Sequence, residues 1–173
     1  KIQANASKHA AVSYERAGQM LAQLELEVKE LLERAERAEA QETKDTLDIP
    51  AELTRREQRR AALQRARQVI EARAQELAAA KQAEYDAKVA ARQAQQATGK
   101  KPRGKEPPPP SPQPEPGAQY NFTDPESRIM KAGSGQHFEQ AYNAQVTVDA
   151  AMLIVGERVS DAPNNKQELP ANV

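Results

Sequence analysis

The sequence predicts an α+β protein in which a long antiparallel helical hairpin, a coiled coil, is inserted into a partial mixed sheet. Three observations point there. Between residues 138 and 148, Phe138, Tyr142, Ala144, Val146 and Val148 alternate with Glu139, Asn143, Gln145 and Thr147, the period of a half-buried strand. Two stretches, 13–44 and 51–97, instead repeat apolar residues at helical spacing. Between helices and strands lies a stretch with eight of the twelve prolines, which favours neither helix nor sheet.

Taken in order, residues 1–12 are short and polar and lead into the helical region, 13–97. Ser13 is a candidate N-cap, with Glu15 in the first turn. Ala17, Leu21, Leu24, Val28, Leu31, Ala35 and Ala38 then form a coiled-coil seam, and the first helix is expected to end near Lys44. About thirty residues make a rod of roughly 45 Å. Thr46 to Pro50 breaks the pattern. Asp48 can cap and Pro50 can open a second helix, from about Ala51 to Ala97. Leu63, Ile70 and Leu77 recur at seven on it, with Ala66, Ala74 and Ala80 on the same side. A turn centred near Leu47 sets Leu31 opposite Leu63, Leu24 opposite Ile70 and Ala17 opposite Leu77. Charge supports the pairing: residues 15–45 carry nine acids and five bases, net −4, and residues 51–97 six acids and ten bases, net +4.

Residues 98–119 are a basic, proline-rich linker, expected to be extended polyproline or disordered. The second helix outlasts the first by about fifteen residues, roughly 22 Å. The linker is long enough to return the chain to the base of the hairpin, so the insertion can sit between two adjacent strands of one sheet. In residues 120–173, Ser127 to Lys131 is a short strand and Ala132 to Gly135 a turn. Asp149 to Ala151 interrupts the alternating strand, and Met152-Leu153-Ile154-Val155 follows, apolar on both faces as in a more central strand. The two make a β-hairpin, which on its own is marginal in water and calls for partner strands. Asp161 to Asn165 is a loop, and a helix begins near Lys166.

Composition excludes several classes. Lys plus Arg equals Asp plus Glu at 25 each, so any basic surface is local. There is no cysteine, hence no disulfide frame or thiolate metal site. No run is long and apolar enough to span a membrane, and no signal peptide is visible; a cytoplasmic protein fits. The first residue is Lys1 and the chain stops soon after a strand, so an internal fragment is expected.

Candidate chemistry is sparse. His9 and His137 have no ligand-like neighbours in sequence and read as surface histidines. Asp124 and Glu126 flank Pro125; paired carboxylates can bind Mg²⁺, but a turn is the favoured reading, as it is for Asp149 at the hairpin tip. Arg55, Arg56, Arg59 and Arg60 form a dense basic turn that suits either DNA phosphate or the acidic first helix. Lys100, Lys101, Arg103 and Lys105 in the linker are comparable phosphate candidates. No aromatic is interleaved to stack on bases.

Several segments together resemble the middle of a bacterial insertion-sequence transposase of the Asp-Asp-Glu type. They are Asn121 to Lys131, Phe138 to Gln145, Val148-Asp149 and Val159 to Gln167, with Lys1 to His9 similar to the segment just after that family's first catalytic aspartate. Ala141 and Asn165 depart from the pattern, standing where relatives commonly have Gly and Asp. The resemblance implies an RNase-H-like sheet, with residues 1–12 leaving its first strand. It further implies a bacterial cytoplasmic enzyme that cuts and joins transposon-end double-stranded DNA by Mg²⁺-dependent phosphoryl transfer, with homo-oligomers allowed. The family's metal-holding carboxylates are expected outside residues 1–173, so this chain alone is expected to supply no catalytic or metal-binding residue and to be inactive. The alternative is a non-enzymatic coiled-coil adaptor that binds a partner protein.

Overall fold

The computed structural model describes residues 1–41, 47–99, 101, 104–132, 135 and 137–162. Strand β1 (Ile2–Gln3) and a 3-10 turn (Lys8–Ala10) lead to β2 (Ala11–Ser13). Two long helices follow, α1 (Tyr14–Ala40) and α2 (Ile49–Ala97), and then β3 (Gln119–Asn121), β4 (Arg128–Lys131), β5 (Phe138–Val148) and β6 (Ile154–Ser160).

Both helices start where the sequence gives them a cap. The Ser13 hydroxyl accepts from the Arg16 N–H and the Asp48 carboxylate from the Ala51 N–H. With Pro50 in its first turn, α2 starts two residues before the expected Ala51. The expected end of the first helix near Lys44 lies outside the described residues; α1 runs to Ala40, with Gln41 as its C-cap.

The helices form an antiparallel hairpin, but in a different register from the expected one. Leu24 and Ala17 are buried in one cluster with Leu63, Ala66 and Ile70. Glu27 pairs with Arg56 at 3.1 Å, and Tyr14 donates to Glu71 at 2.7 Å. Partners therefore lie about one heptad from the expected pairing, with Leu24 level with Leu63 and Ala17 level with Ile70. On the described side of the connection, α2 begins at Ile49, earlier than the pattern suggested. Leu77, expected opposite Ala17, lies beyond the start of α1 and is 55% exposed; Ala80 is exposed as well.

Beyond α1, the linker runs back along the overhanging end of α2. Arg92 donates to the carbonyls of Gly104 and Lys105, and farther along Pro116 and Ala118 accept from Glu15 and Tyr14 at the start of α1. Pro107 and Pro110 are half-buried, the three-residue period of polyproline, and Ala78, Tyr85, Val89 and Arg92 form a half-buried stripe on α2. The linker delivers the chain to β3, which pairs antiparallel with β2 (Ala11↔Asn121, Val12↔Tyr120, Ser13↔Gln119). The insertion thus leaves and re-enters through two neighbouring strands, neither of which the pattern had marked.

In the main sheet β5 is the shared strand. It pairs with β1 (Ile2↔Tyr142), with β4 (Arg128↔Ala141 to Lys131↔Phe138) and with β6 (Asn143↔Ser160 to Val148↔Ile154). Every strand pairing among the described residues is antiparallel, where a mixed sheet was expected. Parallel neighbours need a crossover, and the one long helical connection here returns the chain beside its own start.

Two expectations about burial are corrected. Gln140, Ala141 and Asn143 are buried, while Phe138, Val146 and Val148 on the alternating apolar face are exposed. The Met152–Val155 run is also exposed and not central: Met152 and Leu153 belong to the turn and Ile154 opens β6. Among the described residues, no strand pairs with the second edge of β6. The expected helix from Lys166 lies outside the described residues.

Candidate nucleic-acid interface

The arginine cluster sits on the first three turns of α2, close to the tip of the hairpin, where the N-cap at Asp48 fixes its phase. The structure divides its four members. Arg56 reaches across to Glu27 of α1 and also bonds Glu52 on its own helix. Arg55 pairs with Glu52 at 2.6 Å. The hydrogen bond from Arg56, helped by the charge of Arg55, holds the Glu52 carboxyl below its usual pKa, while the same bond raises that of Arg56. Arg59 and Arg60 are exposed and have no ion pair among the described residues. Arg56 thus fits the reading of pairing with the acidic helix, and Arg59 and Arg60 keep their charge available to solvent.

In the linker, Lys101 and Lys105 are exposed, whereas Lys100 and Arg103 lie outside the described residues. Lys105 follows the far end of α2. From Arg55 to the end of α2 is roughly 60 Å of helix, so the two basic groups form separate patches and not one surface.

The carboxylates behave as turn residues. Both Asp124 oxygens lie 2.7 Å from the Tyr142 hydroxyl, and one also accepts from the Ser127 N–H. That bond, with burial behind it, pushes the Tyr142 phenol up to about 12. Asp149 accepts from the N–H groups of Ala151 and Leu153, each at 2.9 Å, which closes the β5–β6 turn around Met152 at φ 63°. Asp124 and Asp149 thus accept hydrogen bonds that close a loop and a turn, in line with the turn reading of both. His137 bonds Glu139 at 2.6 Å and His9 is exposed.

Residues outside the candidate clusters join the helices to each other and to the sheet. Arg67 stacks 4.5 Å from the Tyr14 ring centre and donates to its hydroxyl. Arg73 of α2 donates to the Pro125 carbonyl, which also accepts from Arg128 at 3.0 Å; Arg128 pairs in turn with Asp161 at 2.7 Å. Burial, then the nearby Arg128 charge, lowers the pKa of Arg73. One signal for Arg73 was present in the sequence: it falls at a seam position of α2, three residues after Ile70, where a coiled coil wants an apolar residue.

No described helix is long and apolar enough to cross a membrane. Comparison with protein-family models, curated proteins and solved structures gives no match to this chain.

Proposed function

We propose that residues 1–173 are an internal part of a DNA transposase of the Asp-Asp-Glu type, with the helical hairpin inserted into an RNase-H-like core. The observation that carries this reading is the path of the chain. β1 lies antiparallel beside β5, β5 turns into β6, and the insertion departs and returns through the paired β2 and β3. A coiled-coil adaptor has no use for that sheet. The partner is double-stranded DNA at transposon ends. Arg59 and Arg60 at the hairpin tip meet its phosphates without reading sequence, since phosphate contacts position and base contacts specify. The Mg²⁺ that activates the attacking oxygen belongs to carboxylates outside this chain.

The test uses the full-length protein that contains this chain. Its coding sequence should place Asp-Gly-Thr just before Lys1 and Asp-x-Gly-Tyr after Val173. The purified protein should join labelled element ends to a target duplex with Mg²⁺ and fail to do so with a chelator. Absence of both flanking motifs, together with no strand transfer, rejects the transposase and leaves the adaptor.

A further inference from the structure

We infer that Arg73 and Arg128 form a phosphate-binding site where α2 passes the loop before β4. The inference stands apart from the transposase reading, because a free phosphate or a backbone phosphate of a nucleic acid would satisfy it alike. Both guanidiniums donate to one oxygen, the Pro125 carbonyl, so two positive charges lie side by side. Among the described residues a single carboxylate is bonded to them, that of Asp161, which holds Arg128 at 2.7 Å. The Glu126 side chain is exposed and bonds neither arginine among the described residues. Arg73 thus has one acceptor for its whole fork of N–H donors and no carboxylate partner among the described residues. It is half-buried, and burial together with the charge of Arg128 works against its charged form.

The loop does not need Arg73. The Pro125 carbonyl already accepts from Arg128 at 3.0 Å, and Arg128 also caps the carbonyls of Glu126 and Ser127, each at 2.9 Å. Asp124 accepts from Tyr142 and Ser127, and the Asn121 carboxamide oxygen accepts from the N–H groups of Thr123 and Asp124. A turn fixed at so many points holds both guanidiniums in place before any ligand arrives. A half-buried arginine that the local structure can do without, set beside a second arginine, is an arrangement that a phosphate completes. Its oxygens can face both forks and take the unused donors, and its charge offsets the repulsion. A carboxylate has too few oxygens to meet both. The site lies thirteen residues along α2 from Arg60, roughly 20 Å of helix, and is separate from the tip arginines.

The test follows the thermal midpoint of the full chain by circular dichroism while sodium phosphate replaces sodium chloride at constant ionic strength. Phosphate stabilises folded proteins generally through exclusion from their surface, so the signal is the saturable part that depends on Arg73. Arg73→Gln keeps a donor for Pro125, and Arg73→Met suits the seam. Each should lose the saturable rise, with phosphate affinity down about tenfold or more. Arg59→Gln with Arg60→Gln should keep it. An undiminished rise in either Arg73 variant overturns the inference, and so does a rise in the unaltered chain with no saturable part. A labelled random duplex then identifies the source, with the Arg59→Gln, Arg60→Gln chain as background. Duplex binding that Arg73→Gln weakens and inorganic phosphate displaces assigns the site to nucleic-acid phosphate. Duplex binding that Arg73→Gln leaves unchanged assigns it to free phosphate.

Discussion

Leu63 and Leu77 are the same residue type on the same stripe of α2, and the observed register gives them opposite surroundings. Leu63 is 1% exposed and Leu77 is 55% exposed. Leu→Ala removes roughly three methylene equivalents at about 0.8 kcal/mol each, or about 2.4 kcal/mol for a fully buried side chain. At Leu63 the neighbours Leu24, Ala66 and Ile70 are held by two helices and cannot all close the gap, so a cavity raises the cost to about 3 kcal/mol. At Leu77 less than half of the side chain is covered and the site opens to water, so no cavity forms. The loss there is about 1 kcal/mol at most, and the better helix propensity of alanine offsets a few tenths of it. Urea melts of the two variants, followed by helical circular dichroism, should differ in midpoint accordingly, with unchanged slope. Equal destabilisation by Leu63→Ala and Leu77→Ala would refute the register, because it requires Leu77 to be as buried as Leu63.

The remaining expectations are briefer. The Tyr142 phenol is raised from 10 to about 12, so the stability it contributes is complete below pH 10 and is lost as pH rises toward 12. Ultraviolet titration should show one of the four tyrosines ionising late, and Tyr142→Phe should abolish that late component. Arg59→Gln with Arg60→Gln should make the salt dependence of duplex binding shallower, by about 0.9 log–log units for each phosphate no longer neutralised, and leave the melt unchanged. Arg56→Gln should do the reverse, lowering the melting midpoint of the hairpin slightly with no change in salt slope. Should the Arg59/Arg60 variant keep the original slope, phosphate binding at the tip is wrong. Ser13→Ala should cost about 1 kcal/mol through removal of the α1 cap, read as a lower melting midpoint.

Sequence carried much of the helical architecture because its signals are local. Ser13 and Asp48 cap the helices, Pro50 opens the second, and the seam residues Leu24, Leu31, Leu63 and Ile70 are buried. The register was not legible from periodicity, because a heptad repeat is unchanged by a slip of seven. What fixes the alignment is a set of polar contacts, Glu27 with Arg56 and Tyr14 with Glu71 between the helices, and Arg73 with a backbone carbonyl 52 residues away. Strands β2 and β3 have three residues each, and their pairing joins Val12 to Tyr120, so no window of sequence contains it. The apolar run at Met152–Val155 read as a central strand because burial on both faces and exposure on an edge give the same string of letters. Of the phosphate candidates, composition located the arginines, but only the placement of Glu27 and Glu52 distinguishes the engaged Arg56 from the solvent-facing Arg59 and Arg60.

Ser13 and Gln119 are cross-strand partners, so their Cα atoms stand about 5 Å apart. Everything between them, residues 14–118, hangs from that one doorway. A length of chain held at two such close points is a cassette. The sheet registers its presence through the doorway strands, through Val12 and Tyr120 in the helical core and through the Arg73 bond to Pro125. A hairpin lengthened or trimmed by whole heptads at its tip changes none of these. Evolution or an engineer can therefore vary how far the arm reaches without re-solving the sheet from which it grows.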